Sequence, residues 1–233
     1  TSSTAAAALF EKIASLGLRG KAIGAMAEAV TKVAVASGAG QEDAMTFFRS
    51  IAAIYNGGSI SKTSEDMAKL SAVTDDTTIL FKDLVTSMPL VGPIMKNMGF
   101  SASGTAAALS AMTHRGVPAT EGANALKFAM ARLVNPTKKA QVAIQELGIS
   151  FFDTSGKASD GSMNLAAMAT RLEGLSDQSK LHVLGLVAGN RQAARVLTLM
   201  DEVALGTREL TAANADGVIT QKEAAAMQSD WAK

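Results

Sequence analysis

Cysteine is absent from the 233-residue chain. Its absence excludes disulfides, thiol nucleophiles and cysteine metal sites together, and leaves the redox compartment open. Aromatic residues make up 4% and proline occurs four times, so the 48% apolar content is carried mainly by Ala, Leu, Val and Met. Those residues favour close helix-on-helix packing over a β-sandwich, which needs β-branched and aromatic side chains. An excess of one charge is lacking too. The formal net charge is +1, which gives no global field for duplex or anionic lipid, and no specific nucleic-acid binding is expected. No apolar run is long enough to span a bilayer: Ala22 to Ala36 is broken by Glu28 and Lys32. Histidine occurs only as His114 and His182. Neither has a second His or a carboxylate at ligand spacing, so a zinc or non-haem iron centre has nothing to build on, and both histidines read as surface or helix-end residues. Thr1 stands in place of an initiator Met and no signal-like leader follows; the chain is expected to be a piece of a longer protein.

What is present is a succession of helix patterns with clear breaks, three of them between Gly99 and Ser150. Thr105, Ala108, Leu109 and Met112 recur at helical spacing up to a stop at Gly116. A second helix, starting after Pro118 and Thr120, aligns Ala123, Leu126, Met130 and Leu133 on one stripe. Asn135-Pro136 then ends one helix and opens the next, because the residue before proline is pushed out of the α region while proline suits a first helical turn. Asn135 is read as an N-cap. The third helix puts Ala140, Ala143, Ile144 and Leu147 on one face and closes at Gly148, which can take the left-handed cap conformation.

The flanking regions read in the same way. Leu9, Ile13 and Leu16 form one face, and Ile23, Met26, Ala27, Val30, Val33 and Ala34 another, ending at Gly38 to Gly40. Gln41, Glu42 and Asp43 open a helix with Ala44, Phe47, Phe48, Ile51, Ile54 and Tyr55, acids lying where the positive end of the macrodipole favours them. Ser64 with Glu65 and Asp66 reads as a further N-terminus, and Asp75-Asp76 as the start of the helix that carries Phe81, Leu84, Val85 and Met88. Pro89 and Pro93 read as interruptions of a partly apolar connection into Gly99. A weak repeat, Gly38 to Gly58 and Gly99 to Gly116 each followed by a helix led by Ser64 or Thr120, fits paired helical hairpins. After Gly148, Ile149, Phe151 and Phe152 followed by Asp153 to Gly156 read as a short extended turn. Helices resume with Leu165, Met168, Ala169 and Leu172, then from Ser176 and Asp177, then with Ala193, Val196, Leu197 and Met200. Thr220 and Glu223 make a capping box for a last helix with Ala224, Met227 and Trp231.

Chemistry is sparse. The glycines form no GxGxxG or Walker pattern and sit where helix ends need them. Asn214, Asp216, Gly217, Ile219, Thr220 and Glu223 match six positions of an EF-hand loop, but Ala212 occupies the first. An Asp-Gly turn before a capping box explains the same letters. No Ser-His-Asp, Cys-His or paired-carboxylate constellation can be assembled, so no catalytic, cofactor-binding or metal residues are assigned.

The run from Leu109 to Gly156 resembles the core region of phage tail tape measure proteins. The resemblance rests on Gly116, Glu121-Gly122, Leu126, Arg132-Leu133, Asn135-Pro136-Thr137, Glu146-Leu147-Gly148-Ile149, Asp153 and Gly156-Lys157. It extends upstream, where small-residue helices punctuated by Gly and an acidic helix start near Ser64 fit the family, and downstream through Leu172, Leu175, Gly189 with Ala193 and Ala194, and Asp216-Gly217 to Met227. It departs at Leu186-Val-Ala-Gly189, where the family tends to place Phe before the Gly, and at Gly156-Lys157, which lacks the usual proline-containing continuation.

The resemblance implies a structural protein of the virion tail, in the tube lumen or at the tail tip, assembled in the host bacterial cytoplasm. Several copies of a long helical chain would set tail length during assembly and leave ahead of the DNA at infection. Implied partners are further copies of the chain as a trimer or hexamer, the tail tube protein, tail-tip or baseplate hub proteins and tail assembly chaperones. The alternative reading is a membrane-active module aiding genome delivery, with Ala22 to Ala36 and Ser87 to Gly99 as inserting segments. No enzyme activity and no cofactor are expected. The expected fold is an all-α bundle of short amphipathic helices joined by Gly and Pro breaks, with a hairpin-like turn near 149–158. Three parts are expected: a small-residue helical part over 1–98, the tape-measure-like part over 99–205, and a final helix over 206–233.

Overall fold

The computed structural model describes residues 3–15, 19–38, 40–76 and 79–215. Eleven α-helices account for nearly all of them: α1 Ser3–Ala14, α2 Lys21–Ser37, α3 Gln41–Tyr55, α4 Ile60–Asp76, α5 Phe81–Asn97, α6 Ala102–His114, α7 Ala119–Val134, α8 Lys138–Glu146, α9 Gly161–Glu173, α10 Asp177–Ala188 and α11 Asn190–Ala215. The fold is all-α. The extended piece after Gly148 reduces to one antiparallel bridge, Phe152 to Ala158. Its turn is tied by Asp153, which accepts from the Ser155 and Lys157 backbone N–H groups at 2.8 and 2.9 Å.

Where the stripes read from the sequence fall on described residues they are mostly buried, with Ile23, Ile54, Val85, Ile144, Leu147 and Leu197 only partly so; Leu16 and the last helix from Thr220 lie outside the described residues. Met26, Ala27, Val30, Val33 and Ala34 of α2 face the core, as do Ala44, Phe47, Phe48, Ile51 and Tyr55 of α3. Phe47 meets Phe81 of α5 edge to face, with ring centroids 5.0 Å apart, the arrangement that the ring quadrupoles favour. One continuous cluster runs from Leu9 to Ala204.

At its centre lies α6. It packs against α4, α5, α7 and α11. The expected amphipathic face of Thr105, Ala108, Leu109 and Met112 is buried, but so are Ala102, Ser103, Gly104, Ala106 and Ser110. A helix enclosed on nearly every side cannot show one apolar stripe. Its small side chains let four neighbours approach closely, and its hydroxyls are satisfied locally: Ser101 caps the Gly104 N–H at 3.0 Å, and Thr105 donates to the Ser101 carbonyl at 2.9 Å.

Four local expectations are corrected. Pro89 and Pro93 do not interrupt a connection but lie inside α5. Four residues apart, they share one exposed face, where the Val85 and Pro89 carbonyls that lose an amide partner can turn to water. The opposite face, with Leu84, Met88, Val91 and Met95 fully buried, holds the helix together. Asn135 is not an N-cap. It ends α7, its N–H bonding to the Ala131 carbonyl, and Thr137 caps α8 by accepting from the Ala140 N–H at 3.2 Å. Pro136 thereby stands before the cap rather than in the first turn. Ser64 lies one turn inside α4, which starts at Ile60, and its hydroxyl bonds back to the Ile60 carbonyl at 2.9 Å. Asp75-Asp76 ends α4 rather than opening α5, whose first turn is instead closed by Asp83 reaching back to the Leu80 N–H.

Tyr55, the only tyrosine, shares a 2.8 Å hydrogen bond with the Thr105 hydroxyl inside the core. Burial pushes its phenol well above the ordinary range, the bond to Thr105 offsets only part of this, and the charge of Asp66 adds to it. The unfolded phenol ionises near pH 10 while the folded one stays protonated, so Tyr55 leaves stability unchanged below pH 10 and lowers it as pH rises further. The expected result is a urea midpoint that falls between pH 10 and 11 more steeply in the parent than in Tyr55→Phe. At pH 8 that variant loses about 1 kcal/mol with the hydrogen bond; equal alkaline slopes would show that Tyr55 is not the titrating group.

Candidate interaction surface

Of the residues that carry the family resemblance, most occupy junctions between helices. Gly116 at the end of α6, Gly148 after α8, Gly156 in the Asp153 turn and Gly189 between α10 and α11 all have positive φ, from +65° to +87°. Gly122 is buried in α7, where a Cβ would lie 3.4 Å from the Met112 sulfur. Leu126 and Leu133 are buried on the same face of α7, and Leu147 ends α8. Gly217 lies outside the described residues, and so does most of the EF-hand-like stretch; Ala212 and Asn214 belong to α11.

Two arginines bring these junctions together. Arg171 of α9 donates to the Leu147 carbonyl at 2.8 Å and lies over Gly148. Arg132 of α7 approaches the end of α10, its guanidinium 3.5 Å from the Leu186 carbonyl and packed over Gly189. Each places a cation at the negative end of another helix and meets carbonyls that the helix itself leaves unpaired. The glycines are suited to these positions twice over, by their positive φ and by leaving room for the arginine. Arg171 carries no mark in the sequence; a helix-end glycine seeking a distant cation has no fixed spacing.

A second set of charges fastens α11 across the corner between α6 and α7. Glu202, whose side chain is 14% exposed, accepts from His114 Nδ1 at 2.7 Å and from Arg115 Nε. Burial raises the Glu202 carboxyl, but its bonds to Arg115 and His114 outweigh this and hold it below the usual carboxylate range. Two turns earlier on α11, Arg195 pairs with Glu121 of α7. His114 is thus the helix-end residue expected, with a partner that only the tertiary fold supplies. His182 lies exposed on α10.

Two grooves open on the surface. One, of 830 Å³, runs between α2 and α4 over Ala25, Ala29, Val33, Ile60 and Met67. The other, of 490 Å³, lies between α8 and α10 and combines Leu147, Leu175 and Val183 with Glu146 and His182. Among the described residues, no group of His, Asp and Glu is placed to hold a metal ion, and no helix is long and apolar enough to cross a membrane. Val30 and Val33 of one expected inserting segment, and Met88, Val91 and Met95 of the other, are buried in the core. Insertion of either would require those faces to leave it. The described residues supply helix packing, helix-end capping and ion pairing.

The family model described as phage-related minor tail protein matches residues 1–189. The tape measure protein of Pneumococcus phage Dp-1 is 27% identical over 177 residues, covering 68% of this chain and 15% of that protein. The chain therefore spans under a sixth of that relative's length. No solved structure matches. The chain belongs to the phage-related minor tail protein family, a family of structural proteins of the phage tail.

Proposed function

We propose that this chain is a segment of a tape measure protein, which sets tail length during assembly and leaves the tube ahead of the DNA. The observation that carries this reading is the match to a tape measure protein of which the chain covers only 15%. A protein in which a helical unit of this size is a small part has the length that a ruler needs. The helical content adds physical support, because a chain that is already α-helical can be laid out along a tube by unpacking its helices without remaking their hydrogen bonds. The partners in this role are further copies of the chain, the tail tube protein, tail-tip or hub proteins and assembly chaperones, and its place is the tube lumen or the tail tip.

An in-frame deletion of the codons for Ser3–Ala215 in the phage genome tests it. Laid out as helix, that stretch contributes roughly 320 Å at 1.5 Å per residue. Kept folded as a compact body it contributes about 45 Å, from the size expected of a chain this long. Tail lengths measured on micrographs are expected to shorten by the larger figure, and an in-frame duplication to lengthen them by as much. Tails of parental length in both mutants would sink the reading.

A further inference from the structure

Between Glu121 and Glu146 the chain carries Lys127, Arg132, Lys138 and Lys139 and no acidic residue, and the exposed Glu146 stands one turn beyond Val142 at the end of α8. Glu121 is itself neutralised by Arg195, and Arg132 is engaged with the end of α10. Lys127, Lys138 and Lys139 are exposed and make no ion pair among the described residues. The same stretch turns large apolar side chains outward: Phe128 is 54% exposed, Val134 42% and Val142 52%. Their exposure is not a frayed end, since Leu126, Ala129, Met130 and Leu133 on the other side of α7 are buried. From Phe128 the chain runs through the rest of α7, the corner at Asn135 to Thr137, and one turn of α8 to Val142. That path keeps the set within roughly 30 Å, about the width of a standard protein interface.

We propose that the corner formed by α7 and α8 docks an acidic protein surface of another tail component, with Phe128 seated in an apolar pocket and Lys127, Lys138 and Lys139 on the rim. The proposal rests on the tail reading above. An aromatic anchor inside a polar, solvent-accessible rim is the usual anatomy of a protein hot spot. A second copy presenting the same corner is disfavoured, because like charges would face one another. A lipid surface is disfavoured because Phe128, Val134 and Val142 are each about half covered by their own fold, which leaves little apolar surface to insert. Val134 and Val142 also have no counterpart on a nucleic acid backbone.

The test places the photo-crosslinking residue p-benzoylphenylalanine at Phe128 of the full-length protein in infected cells, with Lys157 in the exposed Asp153 turn as the control position. The expected adduct joins a different tail protein at a peptide rich in Asp and Glu. Its yield is expected to fall at least tenfold with Lys138→Glu and Lys139→Glu, and to recover when the facing acids are changed to Lys. Far-UV circular dichroism of the purified chain checks that the two exposed substitutions leave the fold intact. The proposal is overturned by an adduct to a second copy or to DNA, by a yield no higher than at Lys157, or by a yield that ignores the lysine reversals. Sedimentation of the purified chain with phosphatidylglycerol–phosphatidylethanolamine vesicles is expected to show no binding; binding that disappears with Phe128→Ser would assign the corner to lipid instead. Failure here is separable from failure of the ruler reading, which is measured as tail length in the deletion mutant.

Discussion

Replacing Gly161 by Ala is expected to lower the free energy of unfolding by about 3 to 4 kcal/mol. Gly161 opens α9 behind its cap, Asp160, and is buried against the 98–100 loop that leads into α6. A Cβ there would lie 2.3 Å from a ring carbon of Phe100 and 2.4 Å from the Met98 carbonyl oxygen. The ring could turn aside, but the backbone oxygen could not without moving the end of α5. Gly161 does not have positive φ, and Ala is the better helix former by up to about 1 kcal/mol, so any destabilisation measured is steric and works against propensity. On the other side of the junction, Gly99 has a φ of +83° and leaves no room for a Cβ, which would fall 1.9 Å from the Ser159 carbonyl oxygen. Gly99→Ala is expected to cost at least as much. Two comparisons isolate the cause. Gly156 has a φ of +78° in open space, so Gly156→Ala carries only the left-handed penalty of about 1 to 2 kcal/mol. Gly174, with right-handed helical dihedrals and a Cβ that would meet only the Arg171 carbonyl oxygen at an ordinary 3.8 Å, is expected to change by less than about 1 kcal/mol when made Ala. Urea midpoints at unchanged slope read all four. A Gly161→Ala midpoint equal to that of Gly174→Ala would mean that the 98–100 and 159–161 segments do not meet as described.

The same junction shows where sequence reasoning stops. The stripe of Ala123, Leu126, Met130 and Leu133 and the breaks at Gly38, Gly116 and Gly148 are legible because helical period and left-handed caps are local properties, fixed within one or two turns. Gly161 is not legible. It sits in a helix start with ordinary dihedrals, and the reason it must be glycine is a loop more than sixty positions earlier. Pro89 and Pro93 mislead for the opposite reason. Proline is a local signal against a helix, but at a four-residue interval on a solvent face its two missing bonds cost less than the buried face of α5 contributes. Asn135-Pro136-Thr137 reads as a cap at Asn135, and only the hydrogen bond that Thr137 accepts from the Ala140 N–H moves the cap two residues on. As for the interaction surface, the glycines at its junctions could be read from the sequence, whereas Arg171 over Gly148, Glu202 between His114 and Arg115, and the lack of an ion pair among the described residues at Lys127, Lys138 and Lys139 depend on helices meeting across the fold.

Ala106→Leu is expected to cost about 3 kcal/mol or more. Ala106 is fully buried on the helix that α4, α5, α7 and α11 enclose, and α6 has almost no face on which a larger side chain could escape to solvent. Leucine is nearly as good a helix former as alanine, so intrinsic propensity predicts little effect and only the four neighbours resist it. Shrinking the same helix should hurt comparably: Leu109, also fully buried, when cut to Ala leaves a cavity that close packing on all sides prevents from collapsing, for about 3 to 5 kcal/mol. The exposed Ala131 of α7 supplies the comparison, with Ala131→Leu expected within about 0.5 kcal/mol of the parent. Sensitivity to both enlargement and truncation is what separates a central helix from one lying on a surface, where a larger residue would be accommodated. It also makes the transition cooperative. Because α6 contacts helices from the N-terminal half and from the C-terminal half alike, loosening it weakens both together, and unfolding followed by helix content and by Tyr55 absorbance should coincide in all three variants. If Ala106→Leu and Ala131→Leu had the same midpoint, α6 would not be the centre of the fold. Two separated transitions would show instead that the halves unfold independently and that α6 does not join them.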